Sequence, residues 1–387
     1  METNVLLEQK RDALMKAVNR QEGAYVPNII TSNGGTIAWT GKRTVDVIEN
    51  PHAYIEALNA VYDVMWMDGL VINTSLFTPK RERAFEKTEY KFGPDGNTPE
   101  HLQLALMKAD EYPQLIADPD RFVKEVLLPR KLPQFYADKN KARNALKLYA
   151  EDKFYSLVQT SGMCAKDLAE KHGIVQVSNL QKIFETPIDI LFDCFRGFRG
   201  TLTDLRRQPD NVRAALDKLW EVRCLPTLGK LGEGDFPYAV QFPHIPAYLS
   251  PKQFEELYWP HEKKLIETIA ASGGKAFVFL EGRWEKIWHH FLELPKDSCI
   301  LAPDDDDIFK LHKELGHHQI IMGGVKLVDT RTKTLDQLKD NVMREIDAFA
   351  PGGGFLFGCD KCWIAPGDVN QTTIDVFNFA HEYSSKK

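Results

Sequence analysis

Short apolar runs recur through the second half of the chain and alternate with segments of helical periodicity. The runs are centred near residues 240, 279, 300, 320 and 356. Each run is nearly continuous, which is typical of parallel strands that are buried on both faces of a sheet. Earlier runs near residues 27, 71 and 176 raise the number of predicted strands to eight. Eight strands that alternate with helices predict an α/β fold of the (β/α)8 TIM-barrel class.

A doubly wound open sheet is the alternative for a chain with this alternation. The first predicted strand is not followed by the Gly-x-Gly-x-x-Gly sequence of dinucleotide-binding open sheets, which favours the barrel. We predict a single domain over residues 1–387, with residues 75–170 as a mainly helical elaboration at one mouth of the fold. Within this elaboration, helices are predicted at residues 99–108, 119–128 and 139–156. Prolines at the first turn of the first two support this prediction.

The charge and composition of the chain limit the partners that it can have. The 387 residues carry a net charge of −6 and a pI near 6.0, whereas nucleic-acid-binding proteins usually present a basic face. No apolar run approaches the ~20 residues that a membrane-spanning helix needs. The chain begins with a charged amphipathic segment and not a signal peptide, and its six scattered cysteines fit a reducing compartment. We therefore predict a cytoplasmic protein that binds neither nucleic acid nor a membrane.

The fold prediction also indicates where functional residues should lie. In a (β/α)8 barrel the active site is formed at the carboxyl ends of the strands. Polar or reactive side chains follow the predicted strands at Asn33, Asn73, His244, Glu281, the four aspartates at 304–307, Lys326, Cys359 and Cys362. We expect the functional site among these residues.

Glu281 and His244 are the candidate catalytic residues of this set. Glu281 directly follows an apolar run, so its carboxyl is predicted to be desolvated, which would raise its pKa or require a cation beside it. An ion pair with Arg283 or with a lysine is the alternative for Glu281. His244 follows Pro243 at another strand end and could act as an acid, a base or a metal ligand. A loop histidine without a catalytic role is the alternative.

Cys359 and Cys362 are three residues apart after the last predicted strand. A Cys-x-x-Cys pair can supply half of a four-ligand zinc site, but the sequence has no second pair. A redox pair would be expected at the start of a helix in a thioredoxin-like βαβ unit, which this segment does not resemble. The alternative is a pair of half-buried cysteines without a chemical role.

The remaining candidates are charged or amide side chains with structural alternatives. The four aspartates at 304–307 could bind a divalent cation, but the first of them are better placed to cap the helix that is predicted from Ile308. Arg196 and Arg199 flank an aromatic and glycine segment and could hold a substrate carboxylate, or they could form salt bridges. Asn73 is assigned to substrate binding because of its place at a strand end.

Several of these segments together resemble a known superfamily. Residues 184–191 read Phe-Glu-Thr-Pro-Ile-Asp-Ile-Leu, and residues 195–200 read Phe-Arg-Gly-Phe-Arg-Gly. Near the end of the chain, residues 322–325 read Met-Gly-Gly-Val and a glycine-rich strand follows. This pattern resembles the uroporphyrinogen decarboxylase superfamily over residues 180–385. The resemblance implies a (β/α)8 barrel, in agreement with the strand count.

The resemblance distinguishes two branches of that superfamily. The decarboxylases carry an N-terminal Phe-Arg-Gln-Ala-Gly-Arg type of motif, which this sequence lacks, so uroporphyrinogen decarboxylation is not expected. The methyltransferases use zinc bound by a His-x-Cys at one strand end and by a cysteine after the last strand. The segment Cys-Trp-Ile-Ala-Pro at 362–366 matches the second part, which implies that Cys362 is a ligand. In place of His-x-Cys, residues 279–282 read Phe-Leu-Glu-Gly and leave Glu281 as the ligand there.

The resemblance therefore implies a methyltransferase that moves a methyl group between a small methylated donor, of the aryl methyl ether or methylamine type, and a corrinoid protein or a thiol. Glu281 and His244 would be catalytic, Arg196, Arg199 and Asn73 would bind the substrate, and Cys362, Glu281 and His244 would bind zinc. The corrinoid would be carried by a partner protein, and a homodimer is left open. The alternatives are a metal-independent decarboxylase or lyase and a catalytically silent subunit of a methyltransferase complex.

Overall fold

The strands of the protein form parallel sheets with one antiparallel hairpin. The computed structural model describes residues 2–74, 78–80, 88, 90–102, 104–151, 157–178, 182–226 and 238–387. The strands found in these residues are β1 (Ile29–Ile30), β2 (Gly69–Leu70), β3 (Tyr90–Phe92), β4 (Pro99–His101), β5 (Val175–Gln176), β6 (Ile183–Phe184), β7 (Tyr238–Gln241), β8 (Lys275–Leu280), β9 (Cys299–Pro303), β10 (Ile320–Val325) and β11 (Phe355–Cys359).

Helices fill most of the chain between the strands. They are α1 (Glu2–Val18), α2 (Gly34–Trp39), α3 (Thr44–Val47), α4 (Pro51–Tyr62), α5 (Tyr112–Ala117), α6 (Pro119–Phe122), α7 (Leu128–Lys131), α8 (Pro133–Ala137), α9 (Lys139–Ala150), α10 (Leu157–His172), α11 (Pro187–Ile190), α12 (Gly197–Arg207), α13 (Pro209–Leu219), α14 (Pro251–Gln253), α15 (Trp259–Ala271), α16 (Ile308–Leu315), α17 (Asp329–Thr332), α18 (Leu335–Phe349) and α19 (Gln371–Ser384). Short π-helical turns lie at Val123–Leu127, Leu191–Arg196, Trp220–Cys224 and Phe254–Tyr258, and 3₁₀ turns at Pro246–Tyr248 and Trp288–Glu293.

The strand order is that of a (β/α)8 barrel. Strands β6 to β11 form a six-stranded parallel sheet in sequential order, and β1, β2 and β5 form a three-stranded parallel sheet. The two sheets are joined by parallel bridges from Asn28 to Phe357 and from Ser32 to Trp363. Because every strand of these two sheets runs in the same direction, all of their carboxyl ends lie at the same mouth. The predicted fold class is confirmed.

The third strand of the barrel is divided into two pieces, β5 and β6. The first piece, β5, pairs with β2, whereas the second piece, β6, pairs with β7. Between them the hydroxyl of Ser178 donates a hydrogen bond to the carbonyl oxygen of Tyr238, at 2.9 Å. One stretch of chain therefore connects the three-stranded sheet to the six-stranded sheet, and the eight predicted strand positions are all present.

Burial explains why the strands of the second half read as continuous apolar runs. Every residue of β9 and β11 is buried, and only Lys275 of β8 is partly accessible. Helices such as α15 and α18 cover the outside of the sheet, and the interior of the barrel covers the other face. No helix of the described residues is long and apolar enough to cross a membrane.

The structure contradicts the predicted helix at 99–108. Residues Pro99–His101 form β4, which pairs antiparallel with β3. The side chain of Asp95 accepts hydrogen bonds from the backbone N–H groups of Asn97 and Thr98, both at 2.8 Å, and so closes the turn between the two strands. Pro99 does not disturb the hairpin, because a proline is tolerated at the first residue of an edge strand. From Tyr112 to Ala150 the described residues are mainly helical, and residues 152–156 of the helix that is predicted at 139–156 lie outside the described part of the chain.

One further helix boundary and one helix cap differ from those that the sequence pattern predicts. The helical periodicity over residues 204–223 predicts one helix, but α12 ends and α13 begins at Gln208, because the residue before Pro209 avoids the helical conformation. The helix α16 is capped by Asp307, the last of the four aspartates, whose side chain accepts from the N–H groups of Phe309 and Lys310. Asp304, the first of the four, has a different role that is described below.

Candidate active site

A cavity of about 670 Å³ opens at the carboxyl ends of the barrel strands. Its size is in the range of small-molecule binding sites. The described residues that line it come from the ends of β1, β2, β6, β7, β8, β9 and β11 and from the hairpin: Thr31, Asn33, Ile72, Tyr90, Pro99, Ile183, Phe184, Glu185, Phe242, His244, Phe279, Leu280, Glu281, Ala302, Asp304, Asp360, Lys361, Cys362 and Ile364. A smaller cavity of about 440 Å³ adjoins it and shares Tyr90, His244 and Glu281.

His244 and Glu281, the two predicted catalytic residues, meet in this cavity. The Nε2 atom of His244 lies 3.8 Å from a carboxylate oxygen of Glu281. On the other side of the ring, Nδ1 is 2.8 Å from Oδ2 of Asp193. Burial alone would lower the pKa of His244, but the hydrogen bond to Asp193 and the negative charges of Glu281 and Asp189 outweigh it and raise the pKa to about 9. The imidazole is therefore protonated at neutral pH.

A buried helical turn holds His244 in place. Thr186 caps α11 with Pro187 in its first turn, and Asp189 and Asp193 follow four residues apart on the same side of the helical segment. Asp189 accepts hydrogen bonds from the backbone N–H groups of His244 and Ile245, both at 3.2 Å. Burial raises the pKa of Asp189 to about 7. One carboxyl thus fixes the backbone of the histidine and the other fixes its ring.

Glu281 has the environment that the sequence predicted for it. Burial and the nearby charges of Asp189, Asp304 and Asp193 raise the pKa of its carboxyl to about 7, although the positive charge of His244 opposes this shift. The side chain keeps 43% of its surface accessible where it borders the cavity. Within the described residues no hydrogen bond to the Glu281 carboxylate is present, so its oxygens are available to a ligand. The alternative for Glu281, an ion pair with Arg283, is not formed.

Lys361 is the second cationic group at the cavity. Its ammonium group lies 3.0 Å from Oδ1 of Asp304, and Oδ2 of the same aspartate accepts a hydrogen bond from Gly282 N at 3.0 Å. Asp304 therefore connects the β8 end to the segment after β11. Asp360 accepts a hydrogen bond from Leu327 N, and burial raises its pKa to about 6. The side chains of Asp304, Asp306 and Asp307 thus act as structural hydrogen-bond acceptors, and of the four aspartates at 304–307 only Asp304 lines the cavity.

Aromatic rings form the apolar walls of the cavity. Phe242 and Phe279 stack with their centroids 4.9 Å apart, at the ends of the adjacent strands β7 and β8. From the hairpin, Tyr90 stacks on His101 at 4.6 Å, and both rings border the smaller cavity. Burial raises the pKa of the Tyr90 hydroxyl, and the negative charge of Asp193 adds to this shift. Burial lowers the pKa of His101, although the charge of Asp193 opposes this shift. The hairpin therefore adds an aromatic lid to the mouth of the barrel.

The two cysteines differ in position. Cys362 lines the cavity, and burial raises the pKa of its thiol to about 12, so it is protonated at neutral pH. Cys359 is fully buried in β11, where its sulfur accepts a hydrogen bond from Trp363 Nε1 at 3.3 Å. Among the described residues, no group of three or more His, Cys, Asp or Glu side chains is arranged to hold a metal ion. Cys362, Glu281 and His244 border one cavity but do not converge as a ligand set.

The predicted substrate-binding residues lie outside the cavity. Arg196 forms an ion pair with the buried Asp204 at 2.5 Å and donates to the carbonyl oxygen of Met107 at 2.9 Å. Arg199 is exposed on α12, and Asn73 is fully buried, with its amide bonded to Ser161 O and the Gln176 side chain. Of the predicted site residues, His244, Glu281, Cys362 and Asn33 line the larger cavity. The others named above do not line it: Arg196, Arg199, Asn73, Cys359 and Lys326.

Sequence reasoning missed Asp189, Asp193, Lys361 and Tyr90. A signal for the first two was available, because two acids four residues apart behind a Thr-Pro helix start share one face of the helix. Lys361 lies within the Cys-x-x-Cys segment, and nothing in this local pattern distinguishes it from a surface lysine. Tyr90 could not be predicted to lie at the site, because its position depends on the hairpin of β3 and β4, and Pro99 led to the prediction of a helix there.

Comparison with known proteins agrees with this fold. A sequence model of the family described as uroporphyrinogen decarboxylase (URO-D) matches residues 184–383, which is more than half of the chain. The chain belongs to this family. A solved methyltransferase from Methanosarcina mazei has a similar structure, with a TM-score of 0.58 and 14% sequence identity, over 96% of this chain and 97% of that chain. No protein of curated function matches the sequence.

Proposed function

We propose that this protein is a methyltransferase that moves a methyl group from a small methylated donor, of the aryl methyl ether or methylamine type, to or from a corrinoid protein or a thiol. Membership of the uroporphyrinogen decarboxylase family and the likeness to a solved methyltransferase support this proposal. The observation that carries it is the pair of Glu281 and His244 at the cavity, because this pair holds a transferable proton at neutral pH.

Methyl transfer from an ether or an amine needs such a proton. The nucleophile of the acceptor attacks the methyl carbon, and the bond from this carbon to the donor heteroatom breaks with its electron pair left on the heteroatom. A proton delivered to the heteroatom neutralises the charge that develops there, and a positioned acid contributes roughly 10²–10⁴-fold in rate. Glu281, with its pKa near 7 and its oxygens open to the cavity, is the proposed acid.

His244 and Asp193 act on Glu281 in this mechanism. The imidazolium stays protonated because Asp193 holds its Nδ1, and its Nε2 faces the Glu281 carboxylate at 3.8 Å. The positive charge stabilises the carboxylate that remains after the proton has left. The acceptor, a corrinoid carried by a partner protein or a thiol, would supply the nucleophile from the open mouth of the barrel.

The zinc ion that the resemblance implies stays a prediction. Because Cys362, Glu281 and His244 do not converge as ligands in the described structure, no step of the proposed mechanism depends on zinc. Elemental analysis of the wild type and of Cys362→Ala tests the prediction. Near-stoichiometric zinc that is lost in the variant would place Cys362 in a metal site, and a Lewis acid would then replace the proton of Glu281.

The alternative of a metal-independent decarboxylase or lyase has less support. A carboxylated substrate would need a free cation, but Arg196 is occupied by Asp204, and Arg199 lies on the surface. Within the described part of the chain, the cationic groups that line the cavity are those of His244 and Lys361, and they are paired with Asp193 and Asp304. Release of carbon dioxide from a carboxylated aromatic substrate, without any acceptor present, would favour this alternative.

The experiment that tests the proposal is methyl transfer from anisole or dimethylamine to reduced cobalamin or 2-mercaptoethanol, with both products quantified by mass spectrometry. We expect Glu281→Gln to lower the rate at least ~100-fold. Glu285→Gln is the matched control, because Glu285 is exposed and pairs with Lys310 away from the cavity. Equal turnover by the wild type and Glu281→Gln would contradict the role of Glu281 as the acid, whereas no turnover by either would favour a silent subunit of a complex.

A further inference from the structure

The charges around the cavity are unbalanced toward the negative. Among the described residues that line the larger cavity, the carboxyl groups of Glu281, Asp304 and Asp360 outnumber the two cationic groups of His244 and Lys361. Asp193 adds a further carboxylate from the adjoining cavity. Since each of the two cationic groups already pairs with one aspartate, the described residues leave no cation for an anionic ligand.

One carboxylate oxygen at the site is buried without a partner. Asp193 is only 8% exposed, and its Oδ2 atom bonds to His244. Its Oδ1 atom has no hydrogen-bond partner within the described part of the chain. A buried charged oxygen without a partner is costly, so an unsatisfied atom that borders a cavity indicates a ligand that would satisfy it. A positively charged ligand fits this position best.

The walls of the cavities are suited to the same kind of ligand. The rings of Tyr90, Phe184, Phe242 and Phe279 border the larger cavity. The smaller cavity adds Phe198 and Tyr248, whose rings meet edge to face at 4.9 Å. Aromatic faces attract cations, and cages of aromatic and acidic side chains bind quaternary ammonium groups. A neutral ether would gain from the rings but not from the surplus carboxylates.

We propose that the methylated donor is an amine that is bound as an ammonium cation between the aromatic rings and the carboxylates of Glu281 and Asp193. This inference rests on the proposed function and narrows the two donor types to one. A methylamine, as an ammonium cation, can interact with both the aromatic rings and the carboxylates of the cavity. An aryl methyl ether is neutral and can interact favourably only with the rings. The carboxylates also repel acidic substrates, and this repulsion separates the site from one built for a polycarboxylate.

The chemistry of an ammonium donor is balanced at this site. A secondary or tertiary amine takes the proton of Glu281 and becomes an ammonium ion opposite a carboxylate. The thiolate or reduced corrinoid then attacks the methyl carbon, the carbon–nitrogen bond breaks, and its electron pair stays on nitrogen. The leaving group is a neutral amine, which the acidic cavity holds less tightly than the cation. A quaternary ammonium donor follows the same path without the first proton transfer.

Calorimetric titration with two probes of the same shape tests the inference. Choline carries a quaternary nitrogen, and 3,3-dimethylbutan-1-ol carries a neutral carbon in its place. We expect the wild type to bind choline at least about tenfold more tightly, because a desolvated cation–π contact and an ion pair act together. Equal affinity for the two probes, or a preference for the alcohol, would overturn the inference.

Three variants identify the groups that are responsible. We expect the preference for choline to fall in Glu281→Gln and in Asp193→Asn and to persist in the control Glu285→Gln. A preference that is unchanged in both cavity variants would overturn the assignment. Because the wild type is compared with two probes, the test stays valid even if Asp193→Asn fails to fold.

A turnover assay separates the failure of this inference from the failure of the proposed function. Methyl transfer to reduced cobalamin from anisole but not from dimethylamine would keep the function and overturn the cationic donor. A preference for choline without methyl transfer from either donor would support the cation site and overturn the function instead.

Discussion

The two halves of the barrel differ in the length and the pairing of their strands. In the second half, strands β7 to β11 are four to six residues long and belong to one continuous sheet. In the first half, β1, β2 and β5 contribute two residues each. The second half supplies His244, Glu281, Asp304 and Lys361, whereas the first half supplies mainly the hairpin lid. The charged groups of the cavity therefore lie on the part of the barrel with the most extensive strand pairing.

Removal of a buried ion pair between β6 and β7 should have the largest effect. Arg196 and Asp204 form this pair, and they contact the segment before β5, because Arg196 donates to the carbonyl oxygen of Met107 and Tyr112 donates to Asp204 at 3.0 Å. Loss of one partner leaves a buried charge, so we expect Arg196→Ala to lower the free energy of unfolding by about 3–5 kcal/mol.

Arg199→Ala is the control for this prediction and removes an exposed arginine three residues further along the chain. We expect it to change the unfolding free energy by less than about 0.5 kcal/mol. Urea denaturation of both variants measures the difference. Equal stability of the two would mean that the stability of the fold does not depend on this ion pair.

A buried acid in the first half should also be important for stability. Both oxygens of Asp68 accept hydrogen bonds, one from Tyr25 and the other from Asn28 N and Trp66 Nε1. Asp68→Asn replaces the buried carboxylate with a neutral amide, so the hydrogen bonds lose the strengthening that the negative charge gives them. We expect a loss of about 1–3 kcal/mol in urea denaturation at pH 7. A variant as stable as the wild type would show that the network can rearrange.

The second half contains a buried acid with the opposite behaviour. Glu262 is fully buried, with one oxygen bonded to Gln241, and burial raises its pKa to about 8. A carboxyl whose pKa is raised on folding binds more protons in the folded than in the unfolded state between these pKa values. Its contribution to stability is therefore lost as the pH rises from about 4.5 to 8.

We expect Glu262→Gln to be more stable than the wild type by on the order of 2 kcal/mol at pH 8, and equal to it within about 0.5 kcal/mol at pH 5. Melting temperatures between pH 5 and 9 test this expectation. A difference that does not change with pH would show that Glu262 does not titrate in this range.

The hairpin should affect binding and not stability. We expect Tyr90→Ala to weaken choline binding by about threefold to tenfold, because it removes an aromatic face from the mouth of the cavity, and Tyr90→Phe to retain most of the affinity. The unfolding free energy of Tyr90→Ala should differ from that of the wild type by less than about 0.5 kcal/mol. Calorimetric titration of the two variants tests this prediction. Equal weakening in both would assign the effect to the hydroxyl group.

The sequence allowed the barrel and the position of its site to be predicted, because continuous apolar strands and the polar residues that follow them are local signals. Glu281 and His244 were found in this way. Arg196 and Asn73, which were predicted to bind the substrate, lie outside the cavity, because local sequence does not reveal that Asp204 or Gln176 approaches them across the fold. The hairpin was missed because Pro99 suits the start of a helix as well as the start of an edge strand.

The divided strand β5–β6 has a consequence for motion. The same chain segment bonds to β2 with its first piece and to β7 with its second, so within the described residues each piece pairs with a strand on one side only. The second piece leads into Glu185 at the cavity wall. In native-state hydrogen exchange, the amides of β5 and β6 should therefore exchange well before those of β8 and β9, and each such opening would widen the entrance to the cavity.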